Sequence, residues 1–190
     1  MSLTENRIAL IHRVIIPGKE YPKEYAILVT DQRSIFIRQP KSRNAFVLRG
    51  EMRYGTALVT DTMPKTLEDY EKTNVETLVA DSSNITVPHD SITSFIMKAM
   101  KPEFRLGDLW VWLTMRRQGE IFQVYNFEIK YHNTDVINFY AVPLGMYVKP
   151  RRQTQTRETI LREYAESILE TYRTVLPSSL VQKKEPMSPA

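Results

Sequence analysis

Only one stretch of this chain has the pattern of a long helix, and it comes last. From Arg157 to Leu176, residues Leu161, Tyr164, Ile168, Tyr172 and Val175 recur at steps of three and four. Ile160, Leu169 and Leu176 widen that stripe, Thr156 is placed to cap it, and Pro177 ends it. A helix with one apolar stripe must bury it against something. What precedes it is almost entirely β-type, so the partner is a sheet. The chain is therefore expected to be mainly β, of the α+β class. It should form a bent antiparallel sheet or partly open barrel of about seven strands, capped by this C-terminal amphipathic helix.

The strands are read from β-branched and aromatic runs broken by turn residues. Residues 7–16 form such a run and end at Pro17-Gly18. Residues 25–31 and 34–38 flank a short polar turn and make a hairpin. Short strands are expected at 45–48 and 56–60, and again between Asn84 and Met100 with a break around Pro88-His89-Asp90. Residues 109–116, 121–131 and 136–142 read as a three-stranded meander. Between these groups, Pro64-Lys65-Thr66 starts a different pattern. Thr66 and Asp69 resemble a capping box, and the spacing predicts one helix over 67–80. The 190 residues are expected to form a single domain over 1–176 followed by a flexible tail, 177–190.

Composition excludes several chemistries. There is no cysteine, so disulfides, thiolate metal sites and cysteine nucleophiles are absent. His12, His89 and His132 lie in separate segments without partners at metal-ligand spacing, so no metal is expected. No nucleophile elbow, zinc-protease motif, nucleotide loop or dinucleotide fingerprint occurs, so neither catalytic residues nor a cofactor are assigned. No uncharged run is long enough to span a bilayer. The N-terminus lacks the pattern of a secretion signal, which points to a cytoplasmic protein. Asn84-Ile85-Thr86 matches a glycosylation sequon and is read as coincidence.

The candidate binding residues are basic or aromatic. Arg33, Arg38, Lys41, Arg43, Arg49 and Arg53 are opposed only by Glu51 in their stretch, and such a cluster suits phosphate. Lys149, Arg151 and Arg152 form a second basic group just before the last helix. The alternative for both groups is a solvated face paired with the acidic middle of the chain. Trp110 and Trp112 share one face of an expected strand and belong either to the core or to a homodimer contact. The net charge of +4 permits nucleic acid as a partner. The basic excess is less concentrated than in a dedicated nucleic-acid binder, which favours a protein partner or an anionic surface.

Two segments carry a resemblance. Residues 27–37 run Ile-Leu-Val-Thr-Asp-Gln-Arg-Ser-Ile-Phe-Ile, in which Thr30-Asp31-x-Arg33 joins two apolar strands. Residues 85–92 run Ile-Thr-Val-Pro-His-Asp-Ser-Ile. Together with the final helix these resemble the PH-like superfamily, particularly its GRAM and bacterial PH branches. The stretch over about 50–83 and the long meander depart from a minimal domain of that kind. The resemblance implies a non-enzymatic binding module. The rival architecture is a helix-grip fold, whose long helix roofs an apolar cavity and which would suit a carrier of an apolar small molecule or an enzyme with a dry pocket.

Overall fold

A computed structural model describes residues 5–16, 23–39, 65–100, 124–132, 134–141, 143 and 154–184. The expected strands at 45–48, 56–60 and 109–116, the turn at Pro17-Gly18, Trp110 and Trp112 lie outside the described residues.

Among the described residues, eight strands form one sheet. They are β1 (Arg7–Ile16), β2 (Lys23–Thr30), β3 (Arg33–Arg38), β4 (Ile85–Pro88), β5 (Ile92–Met100), β6 (Val124–Tyr131), β7 (Asp135–Ala141) and β8 (Val181–Lys184). Among the described residues three α-helices accompany them: α1 (Leu67–Glu71), α2 (Val75–Ala80) and α3 (Thr154–Val175). The order across the sheet is β4-β3-β2-β1-β7-β6-β5-β8. Neighbours are antiparallel except β5 and β8, which run parallel.

This sheet has to curl. β4 and β5 stand first and seventh in the order, so in a flat sheet they would be about 29 Å apart at normal strand spacing. Yet only a three-residue 3-10 turn, His89–Ser91, links them. The chain from Pro88 to Ile92 reaches at most about 14 Å. The bend is assisted in β1, where Arg13 takes a left-handed φ of 49° within a register shift between Ile11 and Val14. Beyond that bulge β1 gains a second neighbour, pairing Val14 with Ala141 and Ile15 with Tyr140 of β7.

α3 lies in the concave face. Leu161, Ala165, Ile168, Leu169, Tyr172 and Leu176 are buried against Val14, Phe36, Val87, Phe95, Phe127 and Phe139 from both halves of the sheet. Each buried Leu, Ile, Val or Phe among them contributes roughly 1.5–3 kcal/mol through its burial. Tyr172 bridges the curl: its ring stacks on Phe95 of β5 at 4.0 Å, and its hydroxyl donates to Ser34 of β3 at 3.0 Å. The predicted stripe is displaced slightly. Ile160 is 39% exposed, while Ala165, absent from the sequence reading, is buried.

Three expectations are corrected. The sheet is mixed rather than purely antiparallel, because β8 adds a parallel pair. Of the flexible tail expected over 177–190, residues 178–184 form a 3-10 turn over Ser178–Leu180 and then β8, and the rest lies outside the described residues. The single helix predicted over 67–80 is two short ones. Thr66 and Asp69 do form a full capping box, but Asn74 takes an extended conformation and caps α2 by accepting from Glu76 N, which starts a second helix. Arg7 holds the break by donating to the Thr73 carbonyl.

Candidate functional site

One end of the curl gathers both segments that carry the resemblance. The β2–β3 turn is clamped by residues just ahead of β1. Asn6 donates from its backbone N and its side chain to the two oxygens of Asp31, at 3.1 and 3.0 Å. Glu5 accepts from the Thr30 hydroxyl and forms an ion pair with Arg33 at 3.1 Å. The Thr30 hydroxyl in turn accepts from the Arg33 backbone N–H at 2.9 Å. The second segment docks beside it. Arg33 pairs with Pro88 and Ser34 with Val87 in register, and His89 N donates to the Gln32 carbonyl at 2.8 Å. The Thr-Asp-x-Arg pattern is thus an internal fastening.

That fastening changes the reading of Arg33. Its guanidinium meets Glu5 and also Glu76 of α2, at 3.3 Å. Arg38 stands at the other end of β3, about 17 Å away along the strand. Its guanidinium lies 5.2 Å over the Tyr25 ring. The two described members of the basic cluster therefore sit apart, each engaged within the fold. Lys41, Arg43, Arg49, Arg53, Lys149, Arg151 and Arg152 lie outside the described residues. The sequon asparagine is also in use: Asn84 donates to the Leu78 carbonyl and accepts from Arg38 N, both at 2.9 Å.

Under the fastening lies a buried polar chain. His89 Nε2 is 3.0 Å from Ser34 Oγ, which accepts from the Tyr172 hydroxyl. A neutral ring carrying its hydrogen on Nδ1 accepts the serine hydrogen at Nε2. Burial holds His89 below the usual histidine range, opposed by the Asp31 backbone and then by the Asp31 and Asp90 charges. Burial also pushes the Tyr172 hydroxyl well up, against its bond to Ser34. At the far end of β1, Tyr164 donates to the His12 carbonyl at 3.0 Å, and burial raises its hydroxyl to about 12. Among the described residues, no group of three or more His, Cys, Asp or Glu side chains is placed to hold a metal ion.

The exposed chemistry lies elsewhere, on the convex face of β5, β6, β7 and β8. Phe95, Met97, Phe127, Ile129, Ile137, Phe139 and Val181 point inward, so the residues between them point out. Pairing places Lys98 beside Lys184, Ile96 beside Glu128, and Lys130 beside Val136. The Lys98 ammonium contacts one Glu128 oxygen and the Lys130 ammonium lies 3.7 Å from the other. The hydrogen bond from Lys98 depresses the Glu128 carboxyl most. Partial burial opposes it, and the charges of Lys98, Lys130 and Lys184 add to the depression. Lys183 points the other way, to Glu166 of α3 at 2.9 Å. Sequence reasoning missed this group because its lysines come from segments 32 or more residues apart. The one available signal was Glu128 and Lys130 alternating with apolar residues in β6.

No protein-family model matches the chain. No curated protein matches it either. Among solved structures, the hSac2 domain from human phosphoinositide phosphatase Sac2 aligns over 100% of this chain and 82% of its own, with 9% identity and a TM-score of 0.45. A likeness that slight carries no argument about fold family or function. No helix among the described residues is long and apolar enough to cross a membrane.

Proposed function

We propose that this chain is a non-enzymatic binding module of PH-like type that works through its outer surface and engages an anionic, phosphate-bearing partner. The observation that carries this reading is the filled concave face. Tyr172 stacks on Phe95 and bonds to Ser34, with Ile168, Leu169 and Leu161 buried beside it, so helix side chains occupy the space where a helix-grip carrier would hold its ligand. Recognition then falls to the exterior. The resemblance implies a bent sheet of about seven antiparallel strands plugged by a final helix, and β1–β7 with α3 support it. The net charge of +4 favours an anionic partner.

Sedimentation of the full chain with vesicles, beside titration with a fluorescent long-chain fatty acid, tests the proposal. Binding to anionic vesicles that weakens with added salt, with no saturable uptake of the fatty acid, is the expected result. Saturable fatty-acid binding without vesicle binding would instead establish the helix-grip carrier.

A further inference from the structure

The convex face of β5, β6 and β8 has a charge arrangement that is poor for stability. Lys98 and Lys184 are direct neighbours on adjacent strands and share one face. Like charges so placed repel. Lys130 approaches from the opposite side of the same carboxylate, so Glu128 is shared among three lysines. Three ammonium groups against one carboxylate leave 3 − 1 = +2 on three adjacent strands. Glu128 is only 14% exposed in its side chain, whereas Lys130 is 50% exposed. The negative charge thus lies beneath and the positive charges at the surface. Val136, paired with Lys130, is 48% exposed, which sets an apolar side chain beside the cations.

We propose that this face is the seat of the anionic partner, and that the partner is a lipid bilayer carrying anionic phospholipid headgroups. The inference rests on the module reading above and names the site and the surface. Several observations select a bilayer. The cations are lysines, which act as point charges, rather than arginines, which grip one phosphate with two parallel bonds. They are spread across a sheet face rather than gathered around a concavity, so they match many headgroups better than one. The exposed Val136 has a place at a headgroup boundary and none on a phosphate ion. Anions bridging Lys98 and Lys184 would relieve their mutual repulsion, which makes binding favourable at the pair where folding is least so.

The test uses the full chain, vesicles of phosphatidylcholine with and without phosphatidylserine, and the double variant K130Q/K184Q. Both lysines are exposed at the surface, so the variant keeps the fold, and a thermal unfolding curve matching the parent checks this. Each lysine near such a surface contributes about 1 kcal/mol, so the double variant should bind phosphatidylserine vesicles roughly 30-fold more weakly. R173Q, altered on the exposed side of α3, should bind as the parent does. Parent-like binding by K130Q/K184Q overturns the assignment of this face and leaves the module reading intact, with the anion held elsewhere. Failure of the parent chain to prefer phosphatidylserine vesicles, with no saturable binding of inorganic phosphate either, overturns the module reading itself as well. Inorganic phosphate titrated without vesicles separates the sources: saturable phosphate binding without vesicle preference overturns the bilayer in favour of a discrete phosphate site. Preference for a single-stranded RNA over phosphatidylserine vesicles likewise overturns it.

Discussion

The two halves of the sheet share one interior but have opposite exteriors. Outside β1–β3, the outward residues Leu28, Ile35 and Ile37 are apolar, and Tyr70 of α1 and Val75 of α2 bury against them in a second core. Outside β5–β8, the outward positions carry Lys98, Glu128, Lys130, Gln182 and Lys184 around the buried Ile96 and Asn126, and no described helix packs against them in an apolar cluster. A strand buried on both faces reads as a continuous apolar run, whereas one buried on a single face alternates. β2, with Ala26, Ile27, Leu28 and Val29 all buried, is the first kind, and β6 from Phe127 onward, with Glu128, Ile129 and Lys130, is the second, after the buried run Tyr125-Asn126-Phe127. One half is apolar on both faces, and the other carries charged side chains on its outer face, Lys130 the most open of its ion-paired groups.

The sharpest way to break this contrast is to cut the same kind of apolar mass from each exterior. Ile35→Ala removes a fully buried side chain between β3 and the short helices and should cost about 2–5 kcal/mol, whereas Val136→Ala should stay within about 0.5 kcal/mol. Chemical denaturation of the two variants decides it, and equal losses would mean that both exteriors are core. The shared interior comes next. Tyr172→Phe leaves the ring stack and removes the donor to Ser34, and should lower stability by about 1–2 kcal/mol.

The same polar chain sets a pH response. His89 is held below 6.5 in the folded protein, and burial followed by the Arg13 charge lowers His12 in the same sense. The unfolded chain therefore takes up these protons first as pH falls. Their contribution is complete above about pH 6.5 and is lost progressively below it. Melting temperatures at pH 7.5 and 5.5 should show a drop that is smaller in H89Q. An unchanged drop would place the response elsewhere.

Smaller still is the cap of the helical cover. Thr66→Ala should cost about 1 kcal/mol and raise hydrogen exchange in α1 without reaching β5–β8. The smallest effect has the opposite sign. Lys184→Gln relieves the repulsion from Lys98 and should leave stability equal or higher by a few tenths of a kcal/mol. A clear loss would show that Lys184 supports the fold.

Much of the framework was legible in single segments. β1 was expected at 7–16 and found at Arg7–Ile16, and the helix expected at 157–176 is Thr154–Val175. Such elements follow from local periodicity, which a burial pattern imprints directly on the chain. The break between α1 and α2 was hidden because the apolar spacing continues across it, while the Asn74 cap acts on the backbone. β8 was hidden for another reason. It has one inward apolar residue, Val181, and its hydrogen bonds belong to β5, some 86 residues away. The candidate site suffered most. Arg33 and Arg38 were singled out as neighbours in sequence, but the strand between them holds them apart, and Arg33 meets Glu5 and Glu76.

By itself, the amino-acid order determined where β1, the β2–β3 hairpin and the long final helix lie, and that this helix must bury one stripe against a sheet. Those properties depend on residues within a few positions of one another. The tertiary structure alone decided that the sheet curls through a three-residue link, that Tyr172 joins its two halves, and that Lys98, Lys130 and Lys184 share one carboxylate. Charge and packing energies depend on distance in space. Strand pairing brings together residues whose separation along the chain carries no trace of that proximity.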